Sequence, residues 1–247
     1  MDIENKFFDP FKGCIGGYGP LDGTVEFYGR INSLLKPDFK VLDYGAGRGY
    51  WFFEDKSAYR RSVRGIKDKV AQLIGMDIDS AVLSNPTTSY NIQLTAKDDC
   101  IPLEDESIDM IICDYVLEHL SRSDSLFLKK EAQRILKKGG FFCARTPHSL
   151  NYVCLGSRLL RGSLYLWLLQ KLQPDRKNID VFPTKYICNT HREISCLFDG
   201  WNNFSYTYTS EPQYYMKSEL LFSVLSVIHR LMPAALTGNL FIFLQKS

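Results

Sequence analysis

The 247-residue sequence lacks a surplus of either charge, because 30 Lys and Arg residues stand against 28 Asp and Glu, a formal net charge of +2. A balance so close to zero gives no sign of the broad basic surface by which proteins bind nucleic acid. We therefore expect no nucleic-acid partner. With 45% hydrophobic and 23% charged residues, the composition also excludes the disordered and low-complexity classes.

The seven cysteines include no C-x-x-C pair and no cysteine–histidine cluster with the spacing of a zinc site. An odd cysteine count of this kind is typical of a reducing compartment and not of a disulfide scaffold. Long apolar runs are also missing, since the best of them, residues 220–228, is far shorter than the roughly 18 residues of a membrane span. The acidic, polar N-terminus does not resemble a secretory signal. We predict a cytoplasmic protein without a metal site.

What the sequence does contain is a series of seven short apolar segments bounded by turn residues, which are typical of buried strands. They begin near residues 40, 72, 90, 108, 141, 204 and 240. The clearest helical pattern between them covers residues 124–138, with Ser121 or Ser123 as its N-cap and Gly139 just beyond its end. Alternating strands and helices predict an α/β fold built on a doubly wound, mostly parallel sheet.

A glycine-rich turn follows the first strand, with Gly45, Gly47 and Gly49 at alternate positions. Glycines without Cβ atoms allow the backbone to approach a ligand, and the N–H groups of the following helix then face that ligand. Asp77 ends the second strand and can accept hydrogen bonds from both hydroxyls of a ribose. A nicotinamide dehydrogenase is disfavoured, because its fingerprint places the third glycine one residue later.

Five motifs in this order resemble those of class I S-adenosylmethionine-dependent methyltransferases. They lie at residues 41–49 (VLDYGAGRG), 75–79 (GMDID), 101–112 (IPLEDESIDMII), 116–120 (VLEHL) and 134–141 (RILKKGGF). The resemblance implies a Rossmann-like sheet of seven strands with an antiparallel last strand, and S-adenosyl-L-methionine as the cofactor. It also implies one domain over 1–247. In it, a cap (1–38) and substrate-side insertions (148–192 and 211–237) surround the cofactor-binding core (39–147), and the insertions hold many of the surplus aromatic residues.

The resemblance assigns roles to residues at the strand ends. The glycine turn would wrap the methionine part of the cofactor, Asp77 would bind the ribose and Ile78 would flank the adenine. An acidic residue after the third strand usually meets the adenine amino group, but the alignment places Lys97 there, so we predict Asp98 or Asp99, for which a solvated turn is the alternative. The predicted cofactor-binding set is Asp43, Gly45, Ala46, Gly47, Gly49, Asp77, Ile78, Asp98, Asp99, Asp114 and Tyr115.

Methyl transfer from a sulfonium releases a neutral leaving group, so that alignment and exclusion of water supply much of the rate. A base is needed only when the acceptor is a weak acid such as an alcohol. His119, after the fourth strand, and His191, in a polar–aromatic loop, are the predicted catalytic candidates, and a turn or surface role is the alternative for each. His229 lies in an amphipathic segment and is expected to take no part.

Residues 146–152 and 180–190 resemble bacterial small-molecule methyltransferases of sugar, lipid or secondary-metabolite pathways. The predicted function is therefore methyl transfer to a small-molecule acceptor, with oxygen preferred over nitrogen as the methylated atom. A nucleic-acid or protein methyltransferase and a non-catalytic cofactor-binding scaffold are the alternatives. Against base methylation, the fourth strand is followed by Asp114-Tyr-Val-Leu and not by a Pro-Pro motif. Residues 155–172 and 220–231 could lie on a membrane surface or form a homodimer, or could serve as a lid and a core helix.

Overall fold

The computed structural model describes residues 18–19, 21–95, 98–159, 184–212 and 218–247. The N-terminal part of the predicted cap, Lys97 and the central part of the first insertion lie outside these residues. The described strands are β1 (Lys40–Tyr44), β2 (Gln72–Asp77), β3 (Tyr90–Gln93), β4 (Ile108–Asp114), β5 (Leu136–Pro147), β6 (Asn202–Asn203), β7 (Tyr206–Thr209) and β8 (Gly238–Gln245). The described helices are α1 (Gly23–Leu34), α2 (Tyr50–Glu54), α3 (Ala58–Arg64), α4 (Arg122–Ile135), α5 (Tyr152–Leu159), α6 (His191–Leu197), α7 (Glu219–Leu231) and α8 (Ala234–Thr237).

The strands form one mixed sheet in the order β3-β2-β1-β4-β5-β8-β6, with β7 also paired to β8. Strands β1 to β5 are parallel to one another, whereas β8 is antiparallel to β5, β6 and β7. The predicted doubly wound sheet with an antiparallel last strand is confirmed. The sixth strand, predicted from residue 204, is observed as β7 from Tyr206, because Phe204 and Ser205 lie outside the regular ladder, and the two-residue β6 comes before it.

Each face of the sheet carries its own hydrophobic core. On one face Phe27 and Ile31 of α1 pack against β-strand residues such as Met110 and Phe241. On the other face Leu128 and Ile135 of α4 pack with Ile194 of α6 against the alternate strand residues, including Ile111 and Ile242. Adjacent residues of β4 and β8 thus point to opposite cores, as expected for strands covered on both sides.

Helix α4 begins with a capping box, in which the Ser121 hydroxyl accepts from the backbone N–H of Asp124 and the Asp124 carboxylate accepts from the N–H of Ser121. Of the two predicted caps, Ser121 is therefore the one used. The helix ends at Ile135, three residues before its predicted end, because Leu136 already pairs with Ile108 of β4. Gly139, expected as the helix terminator, instead adopts its positive φ of 77° within β5.

Candidate functional site

The turn between β1 and α2 is built on glycines in the left-handed region. Gly45 has φ of 85° and Gly49 has φ of 69°, a conformation that residues with a side chain rarely adopt. A Cβ atom at Gly45 would collide with Cγ2 of Val116, and one at Gly49 would lie 2.5 Å from Oδ1 of Asn85. Packing within the protein therefore explains these two glycines without a ligand.

Gly47, between them, has a different reason to lack a side chain. Its φ is 51°, and a Cβ atom there would have only the Asp77 carboxylate within 4 Å, at 3.9 Å. Among the described residues, therefore, no other atom closes the space in front of the Gly47 backbone at short range. A ligand can approach the main chain at this point, which is the cradle that the cofactor prediction requires.

Asp77 lies at the end of β2 and faces the glycine turn. Its Oδ2 accepts from the backbone N–H of Gly47 at 2.9 Å, and its Oδ1 accepts from the backbone N–H of Asp79 at 2.9 Å. The structure thus brings together the two halves of the predicted site. Asp79 does not share this position, because its carboxylate caps the short 3₁₀ turn Ser80–Ser84 through the N–H of Ala81.

Asn85 fixes the glycine turn from behind and was not predicted from the sequence. This side chain is buried, and its Nδ2 donates to the carbonyl oxygens of Ala46 at 3.1 Å and Gly47 at 3.0 Å. The two carbonyls are thereby satisfied within the protein. The N–H of Gly45, in turn, donates to the carbonyl of Met76 at 2.7 Å, which joins the turn to β2.

On the predicted adenine side, Ile78 exposes 65% of its surface, so that an apolar face is available beside Asp77. Asp98 and Asp99 are both exposed after β3. Oδ2 of Asp98 accepts from the backbone N–H and the hydroxyl of Thr95, and these two hydrogen bonds lower the pKa of Asp98. This arrangement is a local turn, and an adenine contact by Asp98 or Asp99 stays a prediction.

Asp114, at the end of β4, belongs to a buried ion cluster. Its carboxylate accepts from Arg145 through two hydrogen bonds, from Arg64 at 3.2 Å and from the Tyr28 hydroxyl at 3.1 Å. Burial alone would raise the pKa of Asp114, but the charge and hydrogen bonds of Arg145, followed by Arg64, hold it below its ordinary value. The pKa of nearby Asp43 is raised to about 7, mainly by burial and next by the negative charge of Asp114.

Tyr115 has a positive φ of 58°, which is unusual for an aromatic residue and is often found at functional sites. Its backbone N–H donates to the carbonyl of Arg145 at 3.0 Å, and the Arg145 guanidinium lies 4.7 Å from the centre of its ring. Its hydroxyl accepts from Nδ2 of Asn239 at 2.8 Å. Burial raises the pKa of Tyr115 to about 12, so the hydroxyl is protonated at neutral pH.

Asn239 connects Tyr115 to a small cleft at the same edge of the sheet, where β5 and β7 end and β8 begins. Nδ2 of Asn239 also donates to the Ser210 hydroxyl at 2.8 Å. No Lys or Arg lines this cleft within the described part of the chain. We call it the polar cleft, and its lining residues are Pro147, Asn151, Tyr152, Ser210, Glu211, His229, Thr237 and Asn239.

The two histidines predicted as catalytic candidates lie outside the lining of this cleft. His119 ends the 3₁₀ turn Leu117–His119 after β4, and its backbone N–H donates to the carbonyl of Val116 at 2.9 Å. His191 begins α6, and its Nε2 lies 3.0 Å from the hydroxyl of Thr207. Burial lowers the pKa of His191.

Other side chains near these histidines are held by local hydrogen bonds. Asn189 donates to the hydroxyl of Thr146 at 2.7 Å and to the carbonyl of Pro147 at 2.9 Å. The Thr146 hydroxyl donates in turn to the buried carboxylate of Glu118 at 2.8 Å. This chain of contacts fixes the segment after β4 to the end of β5. Within the described residues there is no group of three or more His, Cys, Asp or Glu placed to hold a metal ion.

The family model of the methyltransferase domain matches residues 42–144, which include the end of β1, the glycine turn, Asp77 and Asp114. A Mycolicibacterium smegmatis protein described as an S-adenosylmethionine-dependent methyltransferase is 28% identical over 114 residues. That alignment covers 45% of this chain and 39% of the relative, so the chain spans about two fifths of the length of the curated relative that it matches.

Two solved structures share the fold. A chain from the complex of the Haloferax volcanii Trm112 methyltransferase activator with a methyltransferase has a TM-score of 0.55 at 15% identity, over 90% of this chain and 89% of that chain. Geranyl diphosphate C-methyltransferase from Streptomyces coelicolor A3(2), in complex with Mg²⁺, geranyl diphosphate and S-adenosyl-L-homocysteine, has a TM-score of 0.54 at 12% identity. It aligns over 90% of this chain and 77% of that chain.

Residues 42–144 thus match a methyltransferase domain, and the sheet order and the glycine turn are similar to those of class I S-adenosylmethionine-dependent methyltransferases. S-adenosylmethionine is the cofactor of that class, and the open backbone at Gly47 beside Asp77 fits it.

Proposed function

We propose that the protein transfers the methyl group of S-adenosylmethionine to an oxygen atom of a small-molecule acceptor. The observation that carries the first part is the hydrogen bond between Gly47 and Asp77, which places an acidic side chain beside a backbone that a ligand can approach. The cofactor would supply an electrophilic methyl group and leave as a neutral thioether. The glycine turn and Asp77 would hold it, with Ile78 beside the adenine.

The small size of the acceptor is supported by the surroundings of the polar cleft. The cleft adjoins Tyr115, the residue directly after β4, through the hydrogen bond with Asn239. Its lining contains hydroxyl, amide, imidazole and carboxyl groups and no cationic side chain among the described residues. A polyanion such as nucleic acid is ordinarily bound by several Lys and Arg side chains. A small polar molecule is the ligand that this lining favours.

Oxygen is proposed as the attacked atom because hydroxyl, amide and imidazole groups recognise a hydroxyl group through hydrogen bonds. The sequence predicts His119 and His191 as candidate bases for this step, but neither of them is among the residues that line the polar cleft. Peripheral membrane contact and a homodimer stay predictions. The exposed apolar side chains of α7 that bear on both are Leu220, Val224, Val227 and Leu231.

Two measurements test this proposal in sequence. Isothermal titration with S-adenosylmethionine should give binding, and incubation with a metabolite extract should then release S-adenosylhomocysteine, with a small-molecule product heavier by one methylene unit in mass spectrometry. Fragmentation should place the methyl group on oxygen. Binding without any transfer would instead indicate a scaffold protein, and methylation only of RNA, DNA or protein fractions would replace the small-molecule acceptor.

A further inference from the structure

The polar cleft contains two buried polar atoms that have no hydrogen-bond partner among the described residues. They are Nε2 of His229 and Oγ1 of Thr237. Only 3% of the His229 surface and 2% of the Thr237 surface are exposed. Buried polar atoms in folded proteins are almost always satisfied by the protein, by water or by a ligand. Both residues line the same cleft, so a hydroxyl group bound there is a candidate partner for these atoms.

The second ring nitrogen of His229, Nδ1, determines the tautomer of the ring. Nδ1 lies 2.6 Å from the carbonyl oxygen of Ser210. A carbonyl can only accept, so Nδ1 carries the hydrogen and donates it. Burial lowers the pKa of His229, which keeps the ring neutral at physiological pH. A neutral ring with its proton on Nδ1 presents an unprotonated Nε2, with its lone pair available to accept a proton.

The groups that surround His229 are compatible with a neutral ring that carries its proton on Nδ1. Ser210 follows β7 and accepts from Nδ1, and the ring of Tyr152 on α5 meets the His229 ring edge-on at 5.6 Å between centroids. The carboxyl group in the lining belongs to Glu211, whose pKa is raised to about 8 by burial and by the charge of Asp22, and it lies 3.5 Å from the guanidinium of Arg60. Glu211 is therefore directed to a cation outside the cleft.

The geometry points to His229 as the general base of the reaction and to Thr237 as its partner in holding the acceptor hydroxyl. This inference rests on the proposed function of methyl transfer to oxygen. As the acceptor oxygen forms its bond to the methyl carbon, the bond between that carbon and sulfur breaks and leaves a neutral thioether. The hydroxyl proton moves to Nε2 of His229, and the resulting imidazolium returns the proton to solvent after the product leaves.

The other histidine of this region is less suited to the task. Nδ1 of His148 accepts from the backbone N–H of Leu150 at 3.2 Å, and its ring also has a hydrogen bond to the backbone of Ala235. The ring of His148 therefore already has two hydrogen-bond partners. His229 combines one nitrogen fixed by Ser210 with one that has no partner among the described residues, and the residue lines the polar cleft. A base oriented by a third group has this pattern.

Nuclear magnetic resonance of protein labelled with ¹⁵N-histidine and saturated with S-adenosylhomocysteine tests the site before any acceptor is known. Long-range ¹H–¹⁵N spectra should show His229 as the neutral tautomer with its proton on Nδ1, assigned by loss of the signals in His229→Asn. Phenol should then shift the Nε2 resonance saturably, whereas anisole, which has no hydroxyl to donate, should not. An equal response to both compounds, or none to phenol, would show that the cleft holds structural water only.

The kinetic test uses an acceptor identified in the metabolite assay. Asparagine at position 229 keeps a donor for the Ser210 carbonyl and removes the basic nitrogen, so His229→Asn should fold and bind S-adenosylmethionine within about twofold of the wild type. Its kcat should fall about 100-fold or more, since a positioned base contributes about that much. The rise of the wild-type rate with pH should disappear in the variant. Thr237→Val should raise KM for the acceptor with a smaller effect on kcat.

The two proposals fail in different ways. If the wild type methylates an acceptor and His229→Asn does so within threefold and with the same pH profile, the inference about His229 is wrong and the proposed function stands. If the wild type transfers no methyl group to any acceptor, the proposed function fails, and the response to phenol and anisole still decides whether the cleft binds a hydroxyl.

Discussion

The backbone N–H of Gly47 and the carboxylate of Asp77 are joined by a hydrogen bond of 2.9 Å, although 30 residues separate them along the chain. This contact fixes the glycine turn against the end of β2. It also leaves Asp77 at the place where a ribose would lie in front of the turn. The same carboxylate therefore has a structural partner and a predicted ligand, and the two roles can be separated by substitution.

We expect Asp77→Ala to weaken binding of S-adenosylmethionine by about 1–3 kcal/mol, the cost of leaving buried hydrogen-bonding groups without partners. Isothermal titration measures this change. Asp79→Ala is the matched control, because the Asp79 carboxylate caps the turn Ser80–Ser84 through the N–H of Ala81. Its affinity should stay within threefold of the wild type. Equal affinities for the Asp77 variant and the wild type would contradict the assignment of the site.

Substitution of Gly45 tests the packing of the turn. Gly45→Ala and Gly139→Ala both place a side chain at a positive φ, of 85° and 77° respectively, but a Cβ atom at Gly139 meets nothing within 4 Å. The free energy of unfolding of the Gly139 variant should fall by about 1–3 kcal/mol, the cost of the strained backbone conformation alone. The Gly45 variant should lose at least about 1 kcal/mol more because of the collision with Val116.

Urea unfolding without cofactor measures both losses. Adding Val116→Ala to Gly45→Ala removes the Cγ atoms with which the new Cβ would collide, and the added substitution should therefore cost less in this background than in the wild type. Identical losses for the Gly45 and Gly139 variants would mean that the turn does not press against Val116 in solution.

The sequence predicts those parts of the site that depend on residues close together in one turn or at the ends of neighbouring strands. Gly45 and Gly49 are recognisable because a strand-to-helix turn with this φ pattern needs glycine. Asp77 is recognisable because the first two strands of such a sheet are neighbours. Their convergence follows from topology, so sequence and structure agree on it.

Asn85, Arg145 and His229 were not predicted, because their roles depend on contacts between distant parts of the chain. Asn85 supports carbonyls 38 and 39 residues before it, and Arg145 pairs with a carboxylate 31 residues away. Arg145 does leave a signal, since a charged residue inside an apolar strand segment needs a buried partner. His229 leaves none, because its apolar, basic surroundings in the sequence do not reveal that its ring faces a polar cleft.

The ion cluster at the end of β4 provides a prediction about stability. Asp114→Asn removes the countercharge shared by Arg145 and Arg64, whose side chains are 3% and 8% exposed. An uncompensated buried charge of this kind costs about 3–5 kcal/mol. Urea unfolding should show that loss, whereas Asp105→Asn should cost below about 1 kcal/mol, because the Asp105 carboxylate is 74% exposed where it meets Arg134. Comparable small losses in both variants would contradict the buried character of the cluster.

The buried carboxyl of Glu118 predicts a pH dependence of stability. Burial raises the pKa of Glu118 from 4.5 to about 7, and the hydrogen bond from Thr146 reduces that shift only in part. Between these two values the folded protein binds the proton more tightly than the unfolded chain does. The contribution of Glu118 to stability is therefore fully present below about pH 4.5, falls as the pH rises to about 7 and is constant above that.

Glu118→Gln isolates this contribution, because a glutamine keeps an oxygen that can accept from the Thr146 hydroxyl but cannot ionise. The difference in unfolding free energy between variant and wild type should shift in favour of the variant as the pH rises from 5 to 7, measured by urea unfolding at each pH. Asp43, whose pKa is also raised to about 7, titrates in both proteins and cancels in the difference. A difference that does not change with pH would show that the Glu118 carboxylate is already ionised in the folded protein at pH 5, and that burial does not control its charge.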